Sequence, residues 1–288
     1  MDYDRHKLLD WINIDQLNMA YFSANPCPEA IRYLRERPEK IYWYWLARNP
    51  CPEAIEMIKE NLHKIKLSWL SANTNPEAIN LLREHPDKID GFWLSANQCP
   101  EAIHLLREYP DKINWYGLSR NPSPEALELL KENMDKVDWD GLSENPSPEA
   151  FKMLHPQNMK WHGLSANSNP EALKLLKENP HRIYWYMLSG NPCAEAIDLL
   201  RENAHNIDWF WLSSNTCPEA MDFIREHPDK INYISLSSNP NIFKRDYIKM
   251  SEERTMTILE DLMKNTLHPR RIIHFLELGG DMDDYLIN

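Results

Sequence analysis

Apolar and polar positions follow each other along this chain in an order that returns every 24 residues. The Leu or Phe that opens each copy recurs ten times at that spacing, with one step of 22, at Phe22, Leu46, Leu70, Leu94, Leu118, Leu142, Leu164, Leu188, Leu212 and Leu236. A fixed period of this length is typical of repeat arrays, in which each unit buries its apolar face against its neighbours. We therefore expect ten stacked copies in place of one common core.

The first half of each copy predicts an α-helix. In the copy that begins at Leu118, Ser123 precedes Pro124, a combination that caps and opens a helix without losing a backbone hydrogen bond. Apolar residues at helical spacing follow over residues 126–130. The helix should end near Asn133, because proline follows the matching position in most copies, and about ten residues make it roughly 15 Å long.

The second half of each copy gives a less definite signal. Counted from Val137 as position 0, positions 0, +2 and +5 are mostly apolar, and +1 is polar in most copies. Wound at about 120° per residue these apolar positions lie on one side, which favours a 3₁₀-like or tight irregular turn. A two-turn α-helix is the alternative. The sequence thus predicts an all-α fold.

The repeated wording L-S-x-N-P-x-P-E-A-I-x-L-L-x-E-N-P-x-K-I-x-W resembles the leucine-rich variant repeat, and also repeat proteins encoded by giant DNA viruses of protists. It extends over residues 17–243. The resemblance implies a right-handed solenoid of alternating α and 3₁₀ helices and a viral origin, with no activity attached. The bacterial member of that family carries an iron–sulfur cysteine cluster that has no counterpart here. We predict an N-terminal cap at 1–21, a solenoid at 22–243 and a C-terminal helical cap at 244–288.

Two features interrupt the regular pattern. The copy at 142–163 has lost two residues after its helix, which predicts a shortened helix and a local change of curvature. After Asn239 the repeat dissolves, and the remainder reads as helices at about 244–250, 252–265 and 269–278. Asp281, Asp283 and Asp284 lack the twelve-residue loop of a calcium site, and we predict no metal or cofactor.

One asparagine stands at the same place in every copy. Such a side chain bonds the backbone of its own turn and of the next unit, so we predict a structural ladder of Asn25, Asn49, Asn73, Asn97, Asn121, Asn145, Asn167, Asn191, Asn215 and Asn239. The five cysteines all occupy one other slot, two residues later, where they are expected to cap helices or fill small gaps. Equivalent slots lie too far apart for disulfides, so reduced thiols are expected.

Tryptophan occurs at positions +2 and +4, and large residues at one position accompany small residues at the other. One interpretation is a single volume filled from either position. The other places the +4 tryptophans partly in solvent, as aromatic anchors of the kind enriched at protein interfaces. The candidate partner-binding residues are Trp45, Trp69, Trp93 and Trp211, together with Tyr44, Phe92, Tyr116, Tyr186 and Phe210.

Charge and missing motifs narrow the function. A net charge of −12 argues against general binding to nucleic acid. The chain has no glycine-rich phosphate loop, zinc-protease motif or nucleophile elbow, and we predict that it is not an enzyme. The expected function is a scaffold that binds a protein or peptide along an extended surface on the order of 80 to 90 Å long.

Two alternative functions stay open at this point. One is a reader of single-stranded RNA, for which Arg48 and Arg120 would have to form a basic stripe. The other is a structural part of a virus particle or another large assembly. The charged opening stretch and the reduced cysteines predict an intracellular, cytoplasmic location, in the host if the chain is viral, without a membrane segment.

Overall fold

The computed structural model describes residues 6–265 and 269–278. Their secondary structure is helical except for one two-stranded sheet, so the predicted all-α class is confirmed. The chain divides into two compact units. One contains residues 9–242 and therefore the repeats. The other combines residues 1–8 with residues 243–288.

Nine long helices form the first half of the copies, as their sequence predicts. Proline opens all but one of them. Each buries an alanine at the same position, and all but Pro148–Met153 also bury aliphatic or aromatic neighbours, as Pro124–Glu132 does with Ala126, Leu127 and Leu130. The helices are Pro28–Arg35, Pro52–Glu60, Pro76–Arg83, Pro100–Glu108, Pro124–Glu132, Pro148–Met153, Pro170–Glu178, Ala194–Glu202 and Pro218–Glu226. We number the copies 1 to 10 by the order of their ladder asparagines.

A short helix precedes the ladder asparagine in each copy, and nine of the ten are α-helical. They are Met19–Ser23, Trp43–Leu46, Gly91–Ser95, Trp115–Arg120, Trp139–Glu144, Trp161–Ala166, Trp185–Ser189, Trp209–Ser214 and Tyr233–Leu236; only Leu67–Ala72 is 3₁₀. The preferred 3₁₀ interpretation of this half was therefore wrong. In six of these nine copies the +1 side chain, such as that of Asp138, accepts a hydrogen bond from a first-turn amide, which favours the start of an α-helix. Copies 2, 7 and 8 form the α-helix without this bond.

Ten 3₁₀ turns lie elsewhere: eight at the break after a long helix, one before copy 1 and one directly after Asn239. They are Ile14–Gln16, Pro38–Lys40, Leu62–Lys64, Pro86–Lys88, Pro110–Lys112, Met134–Lys136, Pro180–Arg182, Ala204–Asn206, Pro228–Lys230 and Pro240–Ile242. Copy 6 has no 3₁₀ turn after its long helix. That helix, Pro148–Met153, has six residues, whereas the other long helices have eight or nine. The predicted shortening is confirmed, and its effect on curvature stays a prediction.

The second compact unit contains the sheet and the last helices. Strands His6–Leu8 and Phe243–Arg245 pair antiparallel, with Leu8 opposite Phe243. One helix, Tyr247–Asn265, takes the place of the first two helices predicted for the tail, and Pro269–Glu277 follows. Asp281, Asp283 and Asp284 lie outside the described residues. Among the residues that are described, no helix combines the length and apolar character needed to cross a bilayer.

The ladder asparagines join each copy to the one before it. The Asn121 Nδ2 group donates to Ser95 O at 3.0 Å and to Asn97 O at 2.6 Å, and Asn121 Oδ1 accepts from Ser123 N at 3.0 Å. The other nine asparagines repeat this set, and all ten are buried. A single side chain thus supplies partners for three buried backbone groups at every junction.

A serine ladder runs beside the first one. The serine that follows the opening Leu accepts a hydrogen bond from the +1 amide of the next copy, as in Asp138 N to Ser119 Oγ at 3.0 Å. The same bond occurs at every junction except the one that follows copy 2, where Ala47 replaces the serine. Nine of the ten junctions are therefore held by two sets of side-chain to backbone bonds, and the junction after copy 2 is held by the asparagine set alone.

Both ladders also join copy 10 to copy 1. The Asn25 Nδ2 group donates to Ser237 O at 3.1 Å and to Asn239 O at 3.0 Å, and Asn18 N donates to Ser237 Oγ at 2.7 Å. These are the bonds of every other junction, made over more than 200 residues of chain. The ten copies therefore form a closed cycle, and the expected open array with an extended surface was wrong.

The two ends of the chain share the tenth copy. After Asn239 the chain makes the 3₁₀ turn Pro240–Ile242 and does not build a long helix. Residues 9–17 supply the rest: Leu9 N donates to Ile242 O at 2.8 Å, and Ile14–Gln16 forms the 3₁₀ turn that precedes copy 1. Within residues 9–242 the ladder bonds thus continue from copy 10 to copy 1, and the predicted caps at 1–21 and 244–288 stay a prediction.

Removal of one ladder amide tests both the ladder and its closure. Asn121→Ala leaves two buried carbonyls and one amide without partners, so we expect a loss of about 1 to 3 kcal/mol in unfolding free energy. Asn25→Ala should cost about as much, because closure gives Asn25 the same partners.

Urea unfolding followed by circular dichroism measures both values. Glu128→Ala, on the exposed side of a long helix, is the control. An Asn25→Ala variant as stable as the Glu128→Ala control would contradict a closed cycle, because an open end has no partner for Asn25.

Candidate functional site

The short helices occupy the inner side of the cycle. The Arg48 guanidinium of copy 2 lies 4.1 Å from the ring centroid of Trp93 in copy 4, although copy 3 separates the two in sequence. The long helices are instead joined by ion pairs between adjacent copies, such as Arg107 with Glu132 at 3.0 Å and Arg201 with Glu226 at 2.7 Å. Side chains two copies apart meet where a closed array is narrowest, so the short helices line its inside.

The predicted aromatic residues fall into two groups on this inner side. The first group extends over copies 2 to 5 and includes six of the nine: Tyr44, Trp45, Trp69, Phe92, Trp93 and Tyr116. Neighbouring rings contact each other, with centroids 5.2 Å apart for Tyr44 and Trp69 and 6.1 Å apart for Phe92 and Tyr116. Trp45 and Trp69 are partly buried, whereas Trp93 keeps 37% of its surface exposed.

Arg48 sits in the middle of this first group. Its Nη1 donates to the Tyr44 hydroxyl at 3.0 Å, and its guanidinium lies 5.6 Å from the Trp45 centroid in addition to the 4.1 Å from Trp93. A guanidinium over ring faces gains cation–π attraction. The chain therefore places a cation of its own on the aromatic surface.

A polar cluster closes the far end of the first group. The Tyr116 hydroxyl donates to Glu144 Oε1 at 2.9 Å, and Arg120 Nε lies 2.7 Å from Glu144 Oε2. Burial and the bond to Glu144 raise the pKa of Tyr116. Arg120 is thus neutralised by a well-buried carboxylate, and Arg48 is covered by rings, so the two arginines do not present a free basic stripe.

The second aromatic group lies in copies 8 and 9. It contains the three remaining predicted residues, Tyr186, Phe210 and Trp211, of which Tyr186 is 44% and Trp211 45% exposed. Tyr184 joins them, with its ring centroid 6.4 Å from that of Tyr186. Phe210 contacts Trp211 edge to face at 5.5 Å. This group is the more open of the two.

Glycines at +4 separate the two groups. A Cβ on Gly117 would stand 2.7 Å from Phe92 O, and one on Gly141 would stand 2.5 Å from Tyr116 O. The neighbouring backbone already fills the place of a +4 side chain there. The +2 tryptophans lie against the following 3₁₀ turns, as Trp161 does with Arg182 at 4.8 Å. The two positions therefore have different surroundings, and the idea of one shared volume was wrong.

The cysteine side chains take a different bond from the one expected. They hold the N-cap position of their long helices but accept no amide hydrogen bond there. Each thiol points to the glutamate two residues later, at 2.8 Å for Cys51 with Glu53 and for Cys99 with Glu101. Burial, then the bond to the glutamate, raises the pKa of Cys51 to about 12 and that of Cys99 to about 11. All five are free thiols.

Three residues of this inner side, Tyr21, Tyr184 and Glu144, escaped the sequence analysis as binding candidates. Tyr21 stacks on Trp45 with centroids 4.8 Å apart, and Tyr184 was passed over because +1 is usually polar. Arg48 and Glu144 share position +7, where most copies have a small residue. A long side chain among small ones in that column is the signal that marks them.

The glycine contacts give a prediction about stability. Gly141→Ala places a methyl group against the Tyr116 carbonyl, so overpacking should lower the unfolding free energy by about 1 to 3 kcal/mol. Gly190→Ala is the matched control, because its Cβ would have no neighbour nearer than 3.6 Å. Urea unfolding of the two variants compares them. Equal stability would contradict the close approach of the short helices.

The thiol environment gives a prediction about reactivity. At pH 8 a pKa raised from 9.0 to about 11 lowers the thiolate fraction of Cys99 roughly a hundredfold, and alkylation needs the thiolate. Alkylation by iodoacetamide should therefore be slow and should still accelerate above pH 9. Glu101→Gln removes the negative acceptor and should speed modification of Cys99, read by peptide mass spectrometry. Glu125→Gln, beside Ser123, should change nothing; equal effects of both variants would contradict the role of Glu101.

Comparison with known proteins leaves the site to be interpreted from its own geometry. No family model, no curated protein and no solved structure matches this chain. The resemblance to leucine-rich variant repeats accordingly rests on the repeated sequence motif alone.

Proposed function

We propose that this chain is a non-catalytic scaffold that binds a protein or peptide on the inner, aromatic side of a closed right-handed solenoid of ten copies. One observation carries the proposal: Tyr184, Tyr186 and Trp211 keep nearly half of their surfaces in solvent on a frame whose other large apolar residues are mostly buried. Rigid, half-exposed aromatic side chains are the residues that contribute most to protein interfaces.

The frame supports such a role. Both ladders fix the short helices through buried backbone bonds, so the aromatic side chains project from a surface that loses little freedom on binding. Residues at +1, +3, +4 and +7 vary from copy to copy while the ladder positions stay constant. Recognition can therefore differ along the surface without any change in the frame.

Charge favours a protein over a nucleic acid as the partner. A reader of single-stranded RNA needs cations beside its stacking rings. On the inner side Arg120 is paired with Glu144, and Arg48 lies among the rings of its own chain. Asp90, Asp138 and Asp208 stand at the starts of their short helices, which adds negative charge to the same side.

One observation favours assembly as a second candidate function. The helix Tyr247–Asn265 leaves several large apolar side chains exposed, among them Tyr247, Ile248, Met256, Ile258 and Leu259. An exposed apolar face of this kind marks a protein contact in many proteins. It fits a structural role in a larger particle, with a viral origin as the sequence resemblance implies.

Affinity purification with quantitative mass spectrometry tests the proposal. The native chain is compared with the double variant Tyr186→Ala and Trp211→Ala, and with Met134→Ala, which removes an exposed side chain from a 3₁₀ turn outside the aromatic groups. We expect a partner that the double variant loses at least tenfold and that Met134→Ala retains. Direct binding of the purified partner then gives the affinity.

Three results would contradict the proposal. Partners retained equally by all three chains would place binding elsewhere. Recovery of further copies of this chain alone would favour the assembly function. Salt-sensitive recovery of single-stranded RNA, lost in the double variant, would favour RNA binding. Circular dichroism of the double variant checks that its fold is intact.

A further inference from the structure

The short helix of copy 2 shows how this surface holds a cation. Tyr44 and Arg48 lie one helical turn apart, so they share a helix face, and Arg48 Nη1 donates to the Tyr44 hydroxyl at 3.0 Å. The same guanidinium lies over Trp93 at 4.1 Å. The guanidinium thus combines ring contact with a hydrogen bond to a phenol, a geometry suited to its flat shape.

Copy 8 has part of this arrangement without the arginine: its tyrosine is present, Ser235 stands at the position of Trp93, and Trp211 of copy 9 stands at the position of Trp69. Tyr186 stands where copy 2 has Tyr44, and Gly190 stands where it has Arg48. Trp211 of copy 9 lies beside that glycine, because a Cβ on Gly190 would be 3.7 Å from Trp211 Cε3. The rings of Tyr186 and Trp211 thus flank the place of a side chain that Gly190 does not have.

The inner positions of copies 8 and 9 around Gly190 are open, and the ring of His162 in copy 7 lies 6.1 Å from that of Tyr184. The residues at +1, +3, +4 and +7 of copies 8 and 9 include one ionised side chain, Asp208, and no Lys or Arg. Tyr184 extends the aromatic surface on one side and keeps 46% of its own surface exposed. Among the described residues, no cation of the chain is found over the rings of Tyr184, Tyr186 or Trp211.

We propose that Tyr184, Tyr186, Gly190 and Trp211, the Gly190 patch, bind an arginine side chain of the protein partner. The partner's guanidinium would lie in the space beside Gly190, with its planar face on Trp211 and a donor directed to the Tyr186 hydroxyl. Asp208 supplies complementary charge at the start of the same short helix as Trp211. This inference rests on the proposed function and names the chemistry of its partner.

Fluorine NMR of protein labelled with 5-fluorotryptophan tests the patch directly. The Trp211 resonance is assigned by its absence from a Trp211→Phe variant. Titration uses the peptide acetyl-Gly-Arg-Gly-amide, and its citrulline analogue is the control, since citrulline has the shape of arginine without the charge. We expect a saturable shift of Trp211 with the arginine peptide, at least fivefold weaker binding of the citrulline peptide, and no shift of Trp139 in the glycine copies.

Gly190→Arg supplies the guanidinium within the chain. The glycine has ordinary backbone angles and space beside it, so the variant should fold, shift the Trp211 resonance on its own and abolish the response to the peptide. Gly190→Gln has similar bulk without the charge and should keep most of the response. An unshifted Trp211, an equal response to citrulline, or an undiminished response in Gly190→Arg would overturn the inference. Equal binding of a lysine peptide would overturn the assignment to arginine.

The two proposals fail in different ways. A partner that the Gly190→Arg chain captures as well as the native chain would remove the arginine inference and leave the scaffold function standing. A partner that the Tyr186→Ala and Trp211→Ala double variant captures as well as the native chain would contradict the scaffold function as proposed, whatever the result of the peptide titration.

Discussion

The side-chain amide of one asparagine per copy is the interaction on which this structure depends. At each junction, two backbone carbonyls of one loop and one backbone amide of the next loop are buried. If they lacked hydrogen-bond partners, their burial would lower the free energy of unfolding. Asparagine has two donors and one acceptor at the right separation to satisfy all three, as Asn121 does. Aspartate lacks the donors and glutamine is longer, which accounts for a column without exceptions in this chain.

Because every junction uses the same three asparagine bonds, small changes elsewhere in a copy are tolerated. Copy 6 lacks two residues, yet Asn167 still donates to Ser143 O and Asn145 O at 2.8 Å. The deletion falls in the long helix and the turn after it, away from the inner side. The aromatic and glycine positions of the short helices likewise change from copy to copy while both ladders persist. The ladder residues that hold the copies together and the aromatic residues that form the proposed binding surface are thus different residues of the same short segment.

Much of this could be predicted from the sequence, and the limits have physical causes. The helix starting at Pro124 followed from local signals, namely a cap, a proline and apolar spacing. The short helices were misjudged because four to six residues are too few to show a periodicity. A +1 side chain caps six of the nine α-helical ones, whereas copies 2, 7 and 8 are α-helical without such a bond. The neighbours of Trp93 could not be predicted from the sequence, because Arg48, which contacts it, belongs to a copy two steps earlier in the chain.

Closure was also beyond the reach of the sequence, because it depends on a small rotation per copy that no single copy specifies. Nothing in Asn25 distinguishes it from Asn49, and only the sum of ten rotations brings it to Asn239. The tenth copy, built from residues of both chain ends, has a consequence for how such a protein can evolve. Open repeat arrays lengthen or shorten freely by duplication and loss of whole units. Here an eleventh unit would have to break an existing junction and change the rotation between all the others. The number of units is therefore restricted by geometry, while their surface residues remain free to diverge.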